Sequence, residues 1–262
     1  MNIAILGGGV AGVSSAIALK QKGFDVTVYE RNQSESNIGA GIVVWPNASY
    51  VLEQLDVLEE IKNVSGYPSA MQRMSNTGEE LGSINIEEIN KNMGYPSLSI
   101  LRSDFQDILI SKLKSLGIKI KYGYEITKIE EKKKTVNIYF KNGENTTANI
   151  IIGADGRMSS IARKFVTGNN EPVYQGFINW IGVFESKEKV FDEIVVKDYW
   201  GTGERFGIVP VSQNKAYWAG GVVAKKIGTR KPALYKKELN ILLVFFKVKT
   251  TVFRRSDLSA IL

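Results

Sequence analysis

The sequence contains no cysteine and no histidine. Disulfides, thiol nucleophiles and zinc–thiolate sites are therefore excluded, and we expect a reducing compartment, the cytoplasm. A histidine base, a Ser–His pair and a histidine-ligated metal or haem are excluded as well. Any chemistry must come from carboxylates, Tyr, Lys, Arg or a bound cofactor, and we predict no metal site.

Long apolar runs are also missing. The longest apolar stretches, such as residues 241–246, fall far short of the roughly 20 residues that span a bilayer, so we predict no membrane-spanning segment. The net charge of +7 is compatible with nucleic-acid binding. The lysines are mostly interleaved with glutamates, however, as in KIEEKKK at 128–134, which indicates a solvated surface and no nucleic-acid partner.

The size and composition are those of a globular protein. A chain of 262 residues forms one large domain or two small ones and is long enough to bury a substantial core. Hydrophobic residues make up 44% of the sequence and charged residues 23%, which excludes disorder and fibrous repeats.

The first 31 residues, MNIAILGGGVAGVSSAIALKQKGFDVTVYER, have the order of a β-α-β unit. An apolar strand at 3–6 leads into Gly-x-Gly-x-x-Gly at Gly7, Gly9 and Gly12. In such a motif the first glycine permits a sharp turn, the second lets a pyrophosphate approach the backbone, and the third allows helix and strand to pack closely. The glycines alone also fit a tight turn without a ligand, but a helix follows and the next strand ends at Glu30, which favours a dinucleotide site.

Glu30 restricts the identity of the dinucleotide. A carboxylate at the end of the second strand accepts hydrogen bonds from a ribose 2′-OH and repels a 2′-phosphate, which disfavours NADP at this position. FAD and NAD both remain compatible with Glu30. The β-α-β rhythm stops after this residue, whereas a nicotinamide dehydrogenase continues it, so the pattern favours FAD.

The rest of the chain alternates helices and strands before it becomes β-rich. The apolar spacing predicts a helix with Val51, Leu52, Leu55 and Leu58, a hairpin over 70–89 that turns at 76–80, a helix with Phe105, Ile108, Leu109 and Leu113, and strands at 118–121, 125–130, 135–140 and 148–152. From Tyr174 onward we predict strands at 177–185, 193–200, 206–211 and 216–223, then a short helix at 233–243.

Five segments together resemble the single-component FAD-dependent aromatic hydroxylases, flavoprotein monooxygenases with a p-hydroxybenzoate hydroxylase-like fold. The matching segments are GGGVAG (7–12) with YER (29–31), GAGIVVWPNA (39–48), ILRSDFQDIL (100–109), GADGRMSSIAR (153–163) and WGTGERFGIVP (200–210). The resemblance implies an α/β (α+β) fold: a Rossmann-like FAD-binding domain and a second, mainly antiparallel β-sheet substrate domain. The implied boundaries are 1–70 and 99–172 for the FAD-binding domain, 71–98 and 173–230 for the substrate domain, and 231–262 for a tail that returns toward the FAD domain.

The resemblance also implies roles for individual residues. The implied cofactor-binding residues are Gly7, Gly9, Val10, Ala11 and Gly12 at the phosphates, Glu30 and Arg31 at the ribose, Gly41 and Ile42 beside the flavin ring, Arg102 at the start of its helix, Ile126 near the adenine, and Asp155 and Gly156 in an Asp-Gly motif that serves both FAD and the pyridine nucleotide. The implied candidates for the wall of the β-rich domain that faces the substrate are Trp180, Phe206 and Tyr217. Simpler interpretations stay open: an exposed helix start for Arg102, core packing for Ile126 and the three aromatic residues, and a plain turn for Asp155 and Gly156.

The implied activity is that of a monooxygenase. NADPH or NADH would reduce FAD, and the reduced flavin would combine with O2 to give a C4a-hydroperoxide that hydroxylates an aromatic or polycyclic small molecule. The positive charge weakly favours an anionic aromatic substrate. The family's Trp-Arg-Gly position reads Trp180-Ile181-Gly182 here. No catalytic residue and no oligomeric state are predicted.

Two alternatives remain open. A related flavoprotein oxidase or reductase would use the same cofactor site. The sequence ends before the Gly-Asp segment that follows in the family, so the chain is either a fragment of a longer enzyme or a degenerate member, and an inactive, truncated flavin-binding protein is also compatible with it. If the sequence is complete, we expect weakened FAD affinity and poor turnover.

Overall fold

The computed structural model describes residues 1–35, 40–169 and 171–224. The predicted fold class is confirmed, because the chain combines a parallel α/β sheet with a mainly antiparallel β-sheet. The predicted helix at 233–243, the tail at 231–262 and Gly39 of the GAGIVVWPNA segment lie outside the described residues.

The helices and strands follow one another in chain order. The helices are α1 (Val10–Gln21), α2 (Pro46–Gln54), α3 (Leu58–Asn63), α4 (Ile86–Met93), α5 (Arg102–Ser115) and α6 (Ile161–Thr167). The strands are β1 (Asn2–Leu6), β2 (Asp25–Glu30), β3 (Gly41–Val44), β4 (Ala70–Ser75), β5 (Glu80–Asn85), β6 (Leu98–Leu101), β7 (Ile120–Tyr122), β8 (Ile126–Glu131), β9 (Val136–Phe140), β10 (Asn145–Ala148), β11 (Ile150–Gly153), β12 (Phe177–Glu185), β13 (Val195–Gly201), β14 (Glu204–Pro210) and β15 (Lys215–Val223).

The contacts within the chain divide it into two compact units. Of the described residues, the first unit comprises 1–35, 54–57, 106–169 and 171–173, and the second comprises 40–53, 58–105 and 174–224. The structure groups 40–53, 58–70 and 99–105 with the second unit, whereas the predicted boundaries assign these residues to the FAD-binding domain. The physical reason is that Ala40 and Leu101 pack with apolar residues of the six-stranded sheet β12-β15-β14-β13-β4-β5, called the large sheet below, among them Tyr217.

The first unit is built on a parallel sheet in the order β11-β1-β2-β7. Its central strand β1 is apolar because both faces are covered, and Ile5 and Leu6 are completely buried. Helix α1 follows β1 and turns Val13, Ala16 and Ile17 inward at helical spacing. A three-stranded antiparallel sheet, β10-β9-β8, completes the sheets described in this unit.

The second unit is built on a six-stranded sheet in the order β12-β15-β14-β13-β4-β5. Its neighbouring strands are antiparallel except for β13 and β4, which are parallel. Residues on a strand alternate between the two faces. One face, here called the tryptophan face, buries Trp180, Phe206 and Trp218, while the other, the tyrosine face, buries Tyr217 among residues that include Ala40 of the segment before β3.

Three predicted elements differ from the structure. The predicted helix through Val51 and Leu58 is two helices, α2 and α3, because Asp56 between them has a positive φ of 57° that an α-helix does not contain. The predicted hairpin over 70–89 is correct only to Asn85, whose side chain accepts a hydrogen bond from the Glu88 N–H and starts α4. The strand predicted at 148–152 is divided between β10 and β11.

Candidate functional site

The glycine loop after β1 has a shape that other residues would not permit at two positions. Gly7 has a φ of +116°, and a Cβ atom there would lie 2.2 Å from the Ala154 carbonyl oxygen. A Cβ atom on Gly12 would lie 1.9 Å from the Gly7 carbonyl oxygen. Both clashes are with backbone atoms, which cannot rotate away, so these two glycines allow the turn and the close approach of helix and strand.

Gly9 differs from its neighbours because its surroundings are open. A Cβ atom there would meet no atom of residues 1–35, 40–169 or 171–224 within 4 Å. Gly9 is the N-cap of the 12-residue helix α1, with no side-chain cap and no acidic residue in the first turn. The helix start therefore presents backbone N–H groups and an uncompensated positive dipole to an open space, which fits the diphosphate of a dinucleotide. Val10, Ala11 and Gly12 form this first turn.

Glu30 holds the glycine loop through its carboxylate. Oε2 accepts a hydrogen bond from the Gly8 N–H at 2.7 Å, and Oε1 accepts one from the Asn32 N–H at 2.8 Å. A carboxylate offers about four acceptor positions, so a ribose hydroxyl still has sites to donate to. Arg31 next to it is exposed and makes no side-chain hydrogen bond or ion pair to the described residues.

Gln106 is a residue of the site that sequence reasoning missed. Its Nε2 donates to the Gly8 carbonyl oxygen at 2.7 Å, and its side chain is almost fully buried. The Gly8 peptide is thus fixed from both sides, by Glu30 and by Gln106. The available signal was a polar residue on the buried face of a helix, directly after Phe105, where a polar side chain needs a partner.

The Asp-Gly turn after β11 is organised by helix α6. The Asp155 carboxylate accepts hydrogen bonds from the Ser160 hydroxyl at 2.5 Å and from the Ala162 N–H at 3.1 Å. Arg163 donates to the carbonyl oxygens of Gly156 and Arg157 at 2.8 and 2.9 Å. Gly156 has a φ of +95°, which explains the glycine. Asp155 therefore anchors the start of α6, and its predicted contact with a cofactor stays a prediction.

Ile126 is half-buried and packs against the apolar cluster that contains Tyr29, Ile138 and Phe140. This packing by itself explains an isoleucine at position 126, and no ligand contact is needed to account for it. The predicted contact of Ile126 with adenine stays a prediction.

In the second unit, Gly41 and Ile42 lie on β3, which pairs with β6. A Cβ atom on Gly41 would lie 2.0 Å from the Tyr217 ring, so only glycine lets this strand pack against that ring. Burial raises the pKa of the Tyr217 hydroxyl well above its usual range, so the group is neutral at physiological pH.

Arg102 begins α5, and its backbone N–H donates to the Ala40 carbonyl oxygen at 3.1 Å. Its side chain is exposed and makes no hydrogen bond or ion pair with the parts of the chain that the structure describes. A cation at a helix N-terminus opposes the helix dipole. An anionic partner would offset the unfavourable interaction between Arg102 and the helix dipole. This agrees with the predicted contact of Arg102 with the cofactor, which stays a prediction.

The three predicted substrate-wall residues do not share a face of the large sheet. Trp180 and Phe206 are buried on the tryptophan face, with 4% and 0% of their surface exposed. Tyr217 lies on the tyrosine face, which packs against the segment that includes Ala40. For Trp180 and Phe206, the structure agrees with the simpler interpretation as core residues. A single wall made of all three is therefore excluded by the strand alternation.

Residues 1–249 match the family model described as FAD binding domain. The chain belongs to this family. The resemblance to FAD-dependent aromatic hydroxylases is thereby confirmed, and FAD is the cofactor that membership implies. The helix start at Gly9, which is open toward the described residues, fits the diphosphate of that cofactor.

Curated relatives extend well beyond this chain. The FAD-dependent urate hydroxylase of Mycolicibacterium vanbaalenii is 31% identical over 230 residues, which are 85% of this chain and 57% of the relative. The 6-hydroxynicotinate 3-monooxygenase of Pseudomonas fluorescens is 33% identical over 188 residues, which are 71% of this chain and 48% of the relative. The chain thus spans about half the length of these relatives.

Among solved structures, Klebsiella pneumoniae HpxO, complexed with FAD and uric acid, is similar with a TM-score of 0.83 and 24% identity. The match covers 98% of this chain and 66% of that chain. At this identity the likeness establishes the fold.

No group of three or more acidic, histidine or cysteine side chains among the described residues is placed to hold a metal ion. None of their helices is long and apolar enough to cross a membrane.

Proposed function

We propose that this chain is part of a FAD-dependent monooxygenase that uses NADPH or NADH and O2 to hydroxylate a small aromatic or heteroaromatic molecule. The observation that carries the proposal is the uncapped start of α1 with open space beyond Gly9, in a chain of the FAD-binding domain family. The named activities of the relatives, urate hydroxylase and 6-hydroxynicotinate 3-monooxygenase, support the substrate class.

The residues of the first unit would hold the adenosine diphosphate half of the cofactor. Backbone N–H groups of Val10, Ala11 and Gly12 would donate to the diphosphate, and Glu30 would accept from the ribose. In the second unit, Gly41 and Ile42 would flank the flavin ring, and Arg102 would supply a positive charge. When bound, FAD would supply the redox chemistry: two electrons come from the hydride of NADPH or NADH, one oxygen atom of O2 goes to the substrate, and the other leaves as water. The lack of histidine is then no obstacle, because the protein needs only to bind and orient the cofactor and the substrate and to exclude water.

We place the enzyme in the cytoplasm, which the absence of cysteine supports.

The experiment begins with the purified chain and added FAD. We expect FAD binding that saturates at one FAD per chain by absorbance, with weakened affinity and slow turnover if the sequence is complete, and NADPH or NADH oxidation that a small aromatic substrate stimulates and that needs O2. The product should contain one oxygen atom derived from labelled O2. Stimulated NADPH oxidation that yields only hydrogen peroxide and unchanged substrate would instead indicate an oxidase, and a folded chain that binds no FAD would contradict the proposal altogether.

A further inference from the structure

The buried amide of Gln106 donates to a backbone carbonyl of the glycine loop. Its Nε2 lies 2.7 Å from the Gly8 carbonyl oxygen, and 9% of the residue is exposed. Burying a side-chain amide costs free energy, which an apolar side chain of similar length would avoid. The hydrogen bond to Gly8, rather than packing, therefore accounts for a glutamine at this position.

The carbonyl that Gln106 holds belongs to the peptide unit between Gly8 and Gly9. All described peptide bonds are trans, so the C=O and the N–H of this unit point in opposite directions. The Gly9 N–H therefore points away from Gln106. The surroundings of Gly9 are open, because a Cβ atom on it would meet no described residue within 4 Å.

The Gly9 N–H is available to a ligand. Gly9 is the N-cap of α1, and the N–H groups at the start of a helix have no partner inside the helix. Within residues 1–35, 40–169 and 171–224, no hydrogen bond from the Gly9 N–H is present. An anion beyond Gly9 would thus meet a donor whose direction the protein has already fixed.

The preceding peptide unit, between Gly7 and Gly8, is held by a different side chain. Its N–H belongs to Gly8 and donates to Glu30 Oε2 at 2.7 Å. The two peptide planes that meet at the Gly8 Cα atom are therefore fixed separately, one by Glu30 and the other by Gln106. A substitution of Gln106 releases the plane that carries the Gly9 N–H and leaves the Glu30 contact in place.

We propose that Gln106 is a positioning residue for the diphosphate of FAD, because it directs the Gly9 N–H toward the phosphates. The hydrogen bond that the Gly8 carbonyl accepts also strengthens this N–H as a donor, since linked hydrogen bonds polarise one another. Gln106 acts through the Gly8–Gly9 peptide and not by its own contact with the cofactor. The inference rests on the proposed placement of the diphosphate at the start of α1, while binding itself does not depend on turnover.

The test is calorimetric titration of the flavin-free full chain with ADP and with adenosine. The two probes share the base and the ribose and differ in the diphosphate. We expect the wild-type chain to bind ADP at least about tenfold more tightly than adenosine, the gain of a hydrogen bond to a charged acceptor. Equal affinities, or no binding of either probe, would overturn the proposal.

Gln106→Met removes the donor and keeps a side chain of similar length. It should lower the affinity for ADP, and the affinity for FAD in a fluorescence titration, roughly tenfold and leave that for adenosine unchanged. A merely structural role of Gln106 would weaken ADP and adenosine together, so an unchanged ratio of the two affinities would overturn the proposal. Gln21→Met is the matched control, because Gln21 is the exposed last residue of α1, and it should change none of the affinities.

Two further measurements keep the question decidable if Gln106→Met does not fold, as monitored by circular dichroism. Gln106→Glu keeps the shape of the side chain and exchanges the donor for an acceptor, so it should lower the ratio in the same way. Nuclear magnetic resonance of the wild-type chain needs no variant. The Gly9 amide proton should move downfield on addition of ADP and not on addition of adenosine, and an unmoved resonance would contradict the contact with the diphosphate.

The outcomes separate this inference from the proposed function. A lowered ratio in Gln106→Met, in a chain that shows no NADPH or NADH oxidation, would support the positioning role and contradict only the oxygenase. Stimulated turnover together with an unchanged ratio would overturn only the positioning role. A folded wild-type chain that binds neither FAD nor ADP would contradict both.

Discussion

The two glycines at the start of α1 should respond in opposite ways to the same substitution. Gly9 has a φ of −78° and a ψ of −177°, which any residue adopts, and a Cβ atom there would meet none of the described residues within 4 Å. Gly9→Ala should therefore change the free energy of unfolding by less than about 1 kcal/mol, the scale of an N-cap change from Gly to Ala. The added methyl group would, however, occupy the space that we assign to the diphosphate.

Gly12→Ala should have the opposite effect. Its Cβ atom would lie 1.9 Å from the Gly7 carbonyl oxygen, a contact that no rotamer can relieve. Forcing a methyl group into such a site costs about 1–3 kcal/mol, and the upper end applies because the clash is with backbone. The free energy of unfolding should fall by that amount even in the absence of FAD.

Urea unfolding followed by circular dichroism measures the free energy of unfolding of each variant, and quenching of flavin fluorescence measures its affinity for FAD. Gly9→Ala should change the free energy of unfolding by less than about 1 kcal/mol and weaken FAD binding at least about tenfold, the cost of losing one charge-assisted hydrogen bond to the diphosphate. Gly82→Ala is the control, because Gly82 lies on the exposed strand β5 and a Cβ atom there would meet no atom within 4 Å in the part of the chain that the structure describes. A Gly9→Ala variant that binds FAD as tightly as the wild type would refute the binding of the diphosphate at the start of α1.

Three further predictions concern single contacts. Gln106→Ala should lower the free energy of unfolding by about 1 kcal/mol in urea titrations, because the Gly8 carbonyl loses its donor; an unchanged midpoint would contradict the contact. Ser160→Ala should cost about 1–2 kcal/mol in the same assay, since Ser160 caps α6 by accepting from the Arg163 N–H at 2.9 Å, and a smaller loss would show that the cap is dispensable. Burial raises the pKa of Tyr217, so the folded state holds this proton more tightly than the unfolded state, and stability present below about pH 10 is lost as the pH rises above it. Tyr217→Phe should remove the loss of stability above about pH 10 that comes from this hydroxyl, measured as unfolding midpoints from pH 8 to 11. An identical pH dependence of the midpoint in both proteins would contradict this prediction.

The local part of the fold was predictable from the sequence. Strand β1, helix α1 and strand β2 follow from residues that are neighbours in the chain: an apolar run, three glycines at fixed spacing and an acid at the strand end. Helix α5 followed from its buried stripe, and β12 from its apolar residues at 177–185, the bounds that the structure has. Each of these signals is local, so no knowledge of distant partners is needed.

The non-local part was not predictable. Strands β3 and β6 are four residues each and pair across more than 50 residues of sequence, with Gly41 opposite Leu101. The division of the aromatic residues between two faces was missed because both faces of β12 and β15 are apolar, so composition does not reveal which residues share a side. Gln106 was missed because its partner is a backbone carbonyl, which carries no sequence signal.

Glu30 illustrates why the ribose contact needs a test that leaves the protein unchanged. Its carboxylate accepts from the Gly8 and Asn32 N–H groups, and Gly8 is also held by Gln106. Any substitution of Glu30 therefore disturbs the phosphate loop, and weaker FAD binding would follow whether or not the ribose is contacted. We expect instead that an FAD analogue with 2′-deoxyadenosine binds the wild-type chain about tenfold more weakly than FAD, because one hydrogen bond to a charged acceptor is lost. Equal affinities in a fluorescence titration would show that Glu30 serves the loop alone and that the acid at the end of β2 was selected for its backbone contacts.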